Sequence, residues 1–184
     1  MGESSPTTPG VDALIEELFG PPVRSVDASL QVPAVSGLYA WWAEPVTFES
    51  LAGPPNGRDS SMRLLYIGLA SNLRRRIVSN HLKRSGSSTL RRTLAGLLLD
   101  SEQYKTMWTD RVVLSPQDEL RLTTWMHNHL ALTWCAHPDP AAVERTIIEI
   151  LRPPLNVDFA SGPNLAVIKQ ARAAYTESAG RKPL

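Results

Sequence analysis

The chain has 184 residues, 42% of them hydrophobic, and a formal net charge of +1 at pH 7. That length suffices for one domain with its own core but is short for two, and the composition is that of a globular chain. A single cysteine, Cys135, excludes an internal disulfide framework. No apolar run approaches the roughly 18 residues of a membrane span, and the polar start, with Pro6 and Pro9, is unlike a signal peptide. A cytoplasmic protein with no membrane partner is expected.

In chain order, residues 1–10 are expected to be disordered. Val11, Leu14, Ile15 and Leu18 then predict an amphipathic helix over 11–19, stopped by Gly20-Pro21-Pro22. Segments 35–42 and 64–68 read as strands, and 44–61 between them, with Gly53-Pro54-Pro55-Asn56-Gly57, as a long exposed loop insertion. Ser71 or Asn72 can cap a helix running to about 82, and Ser88 or Thr89 another through 99. Residues 118–127 read as helix and 129–136 as a strand with Leu130, Leu132 and Trp134 on one face. A helix over 143–151 starts after Asp139-Pro140 and stops at Pro153-Pro154. A last helix, 164–175, precedes a flexible tail over 177–184, so a single α/β (α+β) domain is expected over 11–176.

Charge is unevenly spread along these elements. Residues 1–59 carry two basic and eight acidic groups, whereas 60–99 carry eight basic groups and no acid. A basic segment inside a nearly neutral protein suits a polyanion, and equally a solvated helix face.

Alternation places Val35, Gly37, Tyr39 and Trp41 on one side of the first strand, and Leu64, Tyr66 and Gly68 on one side of the second. If the strands pair, Tyr39 and Tyr66 share a surface, and the glycines leave room for close approach. At 100° per residue, Arg76 flanks the apolar stripe of Leu73 and Ile77, while Arg75 points to solvent. A permanently charged guanidinium there suits a phosphate oxygen. The same sorting puts Glu144 on the face of Ile147, Ile148 and Leu151, and Glu149 outward beside Arg145 and Arg152. An inward carboxylate needs a partner: either Arg76 or a buried hydroxyl, or a Mg2+ ion.

Gly37-Leu38-Tyr39, Tyr66-Ile67-Gly68, Arg76 ten residues after Tyr66, Glu144 nine before Pro153, and Asn156 resemble the GIY-YIG nuclease domain over about residues 35–157. The resemblance implies a three-stranded antiparallel sheet flanked by helices, with a helical insertion at 83–128. It also implies divalent-metal-dependent hydrolysis of DNA, branched or damaged forms included. Tyr39 would deprotonate or orient the attacking water and Tyr66 would place water or phosphate. Arg76 would stabilise phosphoryl charge, Glu144 would hold Mg2+ or Mn2+, and Asn156 would support the site from the end of its helix, with Gly37 and Gly68 giving room. One turn past Arg76, where family members often carry tyrosine or histidine, stands Asn80, with His81 beside it. His81 would serve if the helix were overwound there.

Beyond the core, Arg74, Lys83, Arg84, Arg91 and Arg92 are candidate contacts to a nucleic-acid backbone. Arg91 and Arg92 fall in the first turn of a helix, where cations oppose the dipole unless an anion is near. Two other functions stay open: a non-catalytic nucleic-acid binding module, and an enzyme acting on a small phosphorylated metabolite, which a proline-rich loop closing over Tyr39 would signal.

Overall fold

A computed structural model describes residues 10–51, 53–159 and 164–182. The expected disorder of 1–10 lies, apart from Gly10, outside the described residues. Helix α1 (Val11–Leu18) buries Leu14 and Leu18, and short strand β1 (Val23–Arg24) and helix α2 (Ser25–Gln31) follow. Strands β2 (Gly37–Ala43) and β3 (Arg63–Ala70) pair antiparallel, and the chain then enters a helical segment. Helices α3 (Thr89–Leu97) and α4 (Leu99–Glu102) lead to a hairpin of β4 (Thr106–Trp108) and β5 (Val112–Leu114). Helix α5 (Pro116–His129), strand β6 (Leu130–Ala136), helix α6 (Ala141–Leu151) and helix α7 (Asn164–Glu177) complete the order.

The main sheet runs β1-β6-β2-β3, entirely antiparallel, with the two-residue β1 added to the three strands expected. Its central strand β2 is buried along its whole length, which explains why Gly37–Ala43 is almost continuously apolar. One face carries Tyr39, Trp41 and Leu132 into a large core with Leu73, Ile77, Leu94 and Met126. The other presents Leu38, Ala40, Trp42 and Cys135 to Leu14, Leu18, Ile147 and Ile148. Each leucine, isoleucine or methionine so buried contributes about 1.5–3 kcal/mol. The polar atoms are matched as well: the Trp42 indole donates to Thr133 Oγ1 at 2.9 Å, and that hydroxyl donates to Leu18 O at 2.6 Å.

Four expectations are corrected. Leu64 does not share a face with Tyr66, because Trp41 pairs with Tyr66 and Trp42 with Leu64; the bulge turns Leu64 into the opposite core. The 44–61 loop is not simply exposed: Leu51 and Asn56 are buried, Leu64 N–H bonds Pro54 O, and the Asn56 amide donates to Gly20 O. The insertion at 83–128 is not purely helical, since it contains the β4–β5 hairpin. Finally, the tail does not leave the domain at 177: the Trp108 indole donates to Gly180 O at 3.0 Å.

Arg91 departs furthest from expectation. Its side chain is fully buried and pairs with Glu119 at 2.8 Å, with further bonds to Thr123 Oγ1 and to the carbonyls of Glu119 and His81. The anion that the helix start required is therefore Glu119 of α5, and Arg91 has no donor left for a nucleic-acid backbone. Removing one partner of a buried pair strands the other, so Arg91→Ala is expected to cost about 3–5 kcal/mol, measured by urea denaturation. The exposed Arg145–Glu149 pair, at 2.8 Å, serves as the control, and Glu149→Ala should cost under about 1 kcal/mol.

Candidate active site

Tyr39 and Tyr66 project from the same face of β2 and β3 because Tyr39 faces Gly68 across the ladder and Tyr66 sits two residues away on that face. Their ring centroids are 6.3 Å apart. Gly68 makes this possible, since a Cβ there would collide with the Tyr39 hydroxyl and ring. Gly37 is needed for a different reason: a Cβ would strike Cys135 O on the neighbouring strand. Asn156 holds the outer edge of β3, its side chain accepting from Ile67 N–H at 3.0 Å and donating to Ile67 O at 2.9 Å. It is a clamp on the strand between Tyr66 and Gly68, and among the described residues its side-chain hydrogen bonds go to Ile67 alone.

The segment after β3 supplies the third and fourth groups. Asn72 Oδ1 caps it by accepting from Arg75 N–H at 2.8 Å, and Arg75–His81 then forms a π-helix, with Leu82 N–H bonding Ile77 O five residues back. The helix is thus underwound where overwinding was expected, and each turn takes one more residue. The partner of Arg76 on the next turn becomes His81 instead of Asn80. His81 is fully buried, with Nε2 2.6 Å from the Tyr39 hydroxyl, and Asn80 takes no part in this set. Sequence periodicity at 100° per residue could not find it, because the pattern of an α-helix does not apply to this segment.

A hydrogen-bonded chain results. His81 Nδ1 lies 2.7 Å from Ser88 Oγ, which also caps α3 by accepting from Arg91 N–H at 3.0 Å. Arg76 Nε donates to the Tyr39 hydroxyl over a long 3.4 Å, and its Nη1 donates to Ser87 O at 2.9 Å. An arginine can only donate, so the buried Tyr39 proton needs His81 Nε2 as its acceptor. His81 Nδ1–H then donates to Ser88 Oγ. Ser88 was legible in the sequence only as a helix cap.

Electrostatics fit this assignment. Burial, joined by Arg76 and Arg91, holds the His81 pKa well below its usual value, so the ring is neutral at pH 7. Burial and the neighbouring Tyr66 hold Tyr39 well above the ordinary tyrosine range, so it keeps its proton. Glu144, half-buried in the first turn of α6, is raised by burial and then by Asp158. Among the described residues its carboxylate has no hydrogen-bond or ion-pair partner, so neither Arg76 nor a hydroxyl neutralises it. Asp158 acts on Glu144 electrostatically, and such a pair of carboxylates, with no larger cluster of ligands among the described residues, would suit a hard divalent cation that keeps most of its waters. Asp158 was not singled out in the sequence, because it follows the helix and its match only by proximity in the fold.

The candidate backbone contacts divide. Lys83 and Arg84 are exposed, Arg74 is exposed but donates to Val32 O, and Arg92 is half-buried against Ser85 O at 2.7 Å.

The buried neutral histidine sets a pH dependence. In the unfolded chain His81 titrates near about 6.5, while the fold resists that proton, so the unfolded state binds more protons below this value and stability falls as pH falls. His127 and His129, lowered first by burial, act in the same sense. The urea midpoint should decline between about pH 7 and pH 5, with a shallower slope in His81→Gln. A midpoint that rises on acidification would contradict the neutral assignment.

A family model described as the GIY-YIG catalytic domain matches residues 37–174, which contain every group of this site. Nothing among curated proteins or solved structures matches the chain. The match covers most of the chain: the protein belongs to the GIY-YIG family of nuclease-type catalytic domains.

Proposed function

We propose that the protein is a divalent-metal-dependent endonuclease that hydrolyses phosphodiester bonds of DNA, with Tyr39, Tyr66, Arg76, His81 and Glu144 as its working residues. The observation that carries this is the buried Tyr39–His81 bond at 2.6 Å beside an arginine. A tyrosine that cannot ionise by itself is useful as a base only if its own proton can leave as it accepts another, and neutral His81 is the acceptor. As water attacks phosphorus, its proton passes to Tyr39 Oη and the Tyr39 proton passes to His81 Nε2. The bond from phosphorus to the leaving oxygen breaks, and that oxygen takes a proton from solvent. Ser88 Oγ, accepting from Nδ1–H, holds the ring in the tautomer this needs.

Arg76 has two roles in this scheme. Its guanidinium covers the Tyr39 hydroxyl at the limit of hydrogen-bond length, and a substrate phosphate offers a stronger, charge-assisted acceptor. Movement onto the phosphate uncovers Tyr39 and cancels part of the positive field that keeps His81 from protonating. Tyr66, partly exposed beside it, orients the phosphate or the water. Glu144, with Asp158, would hold Mg2+ or Mn2+; when bound, such an ion polarises the phosphate and stabilises the leaving oxygen.

Supercoiled plasmid incubated with Mg2+, Mn2+ or chelator tests this directly. Nicking is expected with metal and absent with chelator. Arg76→Ala, Glu144→Ala and His81→Ala should each lower the rate at least about 100-fold, and Glu149→Ala should leave it within about twofold. Salt-sensitive DNA binding with no cutting in either metal would establish a binding module instead. The contacts of the 44–61 loop, to Gly20, Leu64 and Trp125, do not favour a closed metabolite pocket.

A further inference from the structure

Three arginines from separate elements converge on one short turn, Ser85–Ser87. Arg76 donates to Ser87 O at 2.9 Å, Arg92 to Ser85 O at 2.7 Å, and Arg111, from the tip of the β4–β5 hairpin, to Gly86 O at 3.1 Å. A fourth, Arg172 of α7, donates from Nε to Thr93 Oγ1 at 2.8 Å and is electrostatically coupled to Tyr66, Asp158 and Arg92. For Arg76, Arg92 and Arg172 the carbonyl and hydroxyl oxygens orient the guanidinium group without cancelling its charge. Among the described residues no carboxylate pairs with Arg76, Arg92 or Arg172, while Arg111 is paired with the exposed Asp110 at 2.9 Å through Nε and Nη2. Burial lowers the pKa of Arg92, and Arg111 and Arg76 push it the same way. Such gathering of like charge is unfavourable unless an anion arrives.

The arrangement has a direction. From Arg76 at the tyrosines it passes through Arg92 to an open cleft of about 390 Å³ between the hairpin and α7, lined by Arg92, Arg111, Trp108 and Tyr175, with Asp110 as its one acidic residue among those described. The hairpin belongs to the insertion, so the cleft is built by residues outside the tyrosine strands. A polyanion laid along this path would meet guanidinium groups in succession. A single small phosphate would satisfy only one of them.

We infer that this cleft is a second backbone subsite, holding the phosphates of the nucleic-acid strand that flank the scissile one. Arg92 and Arg111 contact the backbone, Arg172 closes the side next to Tyr66, and Trp108 bounds the cleft on the hairpin side. The inference rests on the nuclease function proposed above, and it assigns to Arg111 and Arg172 a part that no motif indicates.

Fluorescence anisotropy of a labelled oligonucleotide, in chelator to prevent cutting and over a range of KCl, is the test. In Arg111→Ala the slope of log affinity against log salt should fall by about 0.7–0.9, in Arg92→Ala by a similar amount, and Arg111→Lys should restore it. Asp110→Asn should tighten binding, and Arg145→Ala, on the outward face of α6, should change nothing. Because Arg92 is half-buried against the Ser85–Ser87 turn whereas the Arg111 side chain is exposed, Arg111→Ala is the deciding variant. Wild-type binding and nicking with an unchanged slope in Arg111→Ala and Arg92→Ala would overturn the subsite while leaving the nuclease function intact. Absence of wild-type binding at low salt would overturn both.

Discussion

The hydrogen bond between Tyr39 and His81 is the contact around which the rest of the site is arranged. It joins the central strand of the sheet to a helix that would not present a histidine there if it kept α-helical pitch. The π-helical winding of Arg75–His81 brings His81 over β2, and the buried Arg91, bonded to the His81 carbonyl, ties that segment to α5. Ser88 completes the brace, since one hydroxyl serves both the imidazole and the first turn of α3. Burial then does chemical work: it keeps tyrosine protonated and histidine neutral, the pair of states between which a proton can move.

Around this neutral pair the charges are segregated. Arginines gather on the side of the Ser85–Ser87 turn, whereas Glu144, at the start of α6, and Asp158, beyond its end, act on one another electrostatically. Among the described residues no ion pair joins Glu144 or Asp158 to these arginines. A phosphodiester between them would complement the arginines, and a divalent cation would complement the carboxylates. The protein thus carries both halves of an electrostatic mismatch that its ligands would resolve.

Much of this was legible in the residues. The strands, Asn72 and Ser88 as caps, the inward Glu144 and the choice of Arg76 over Arg75 follow from alternation, helical angle and capping chemistry, which are local rules. The failures are also physical. Arg91 and Arg92 are neighbours with the same side chain, yet Glu119, 28 residues later, takes one into the core and leaves the other at the cleft. Leu64 faces the wrong way because a bulge interrupts alternation, and no residue type between Arg63 and Ala70 marks it. Arg111, Arg172 and Asp158 carry no signal at all, being ordinary charged residues until the fold sets them beside the site.

By itself, then, the order of residues determined the family, the antiparallel sheet and which faces of its elements are apolar, since these depend on spacing within a few positions. The tertiary structure alone decided by what winding His81 reaches the tyrosine, which arginines are buried and which are gathered at the cleft. Those outcomes depend on helix winding and on partners far away in the chain, and both are settled only when the elements pack.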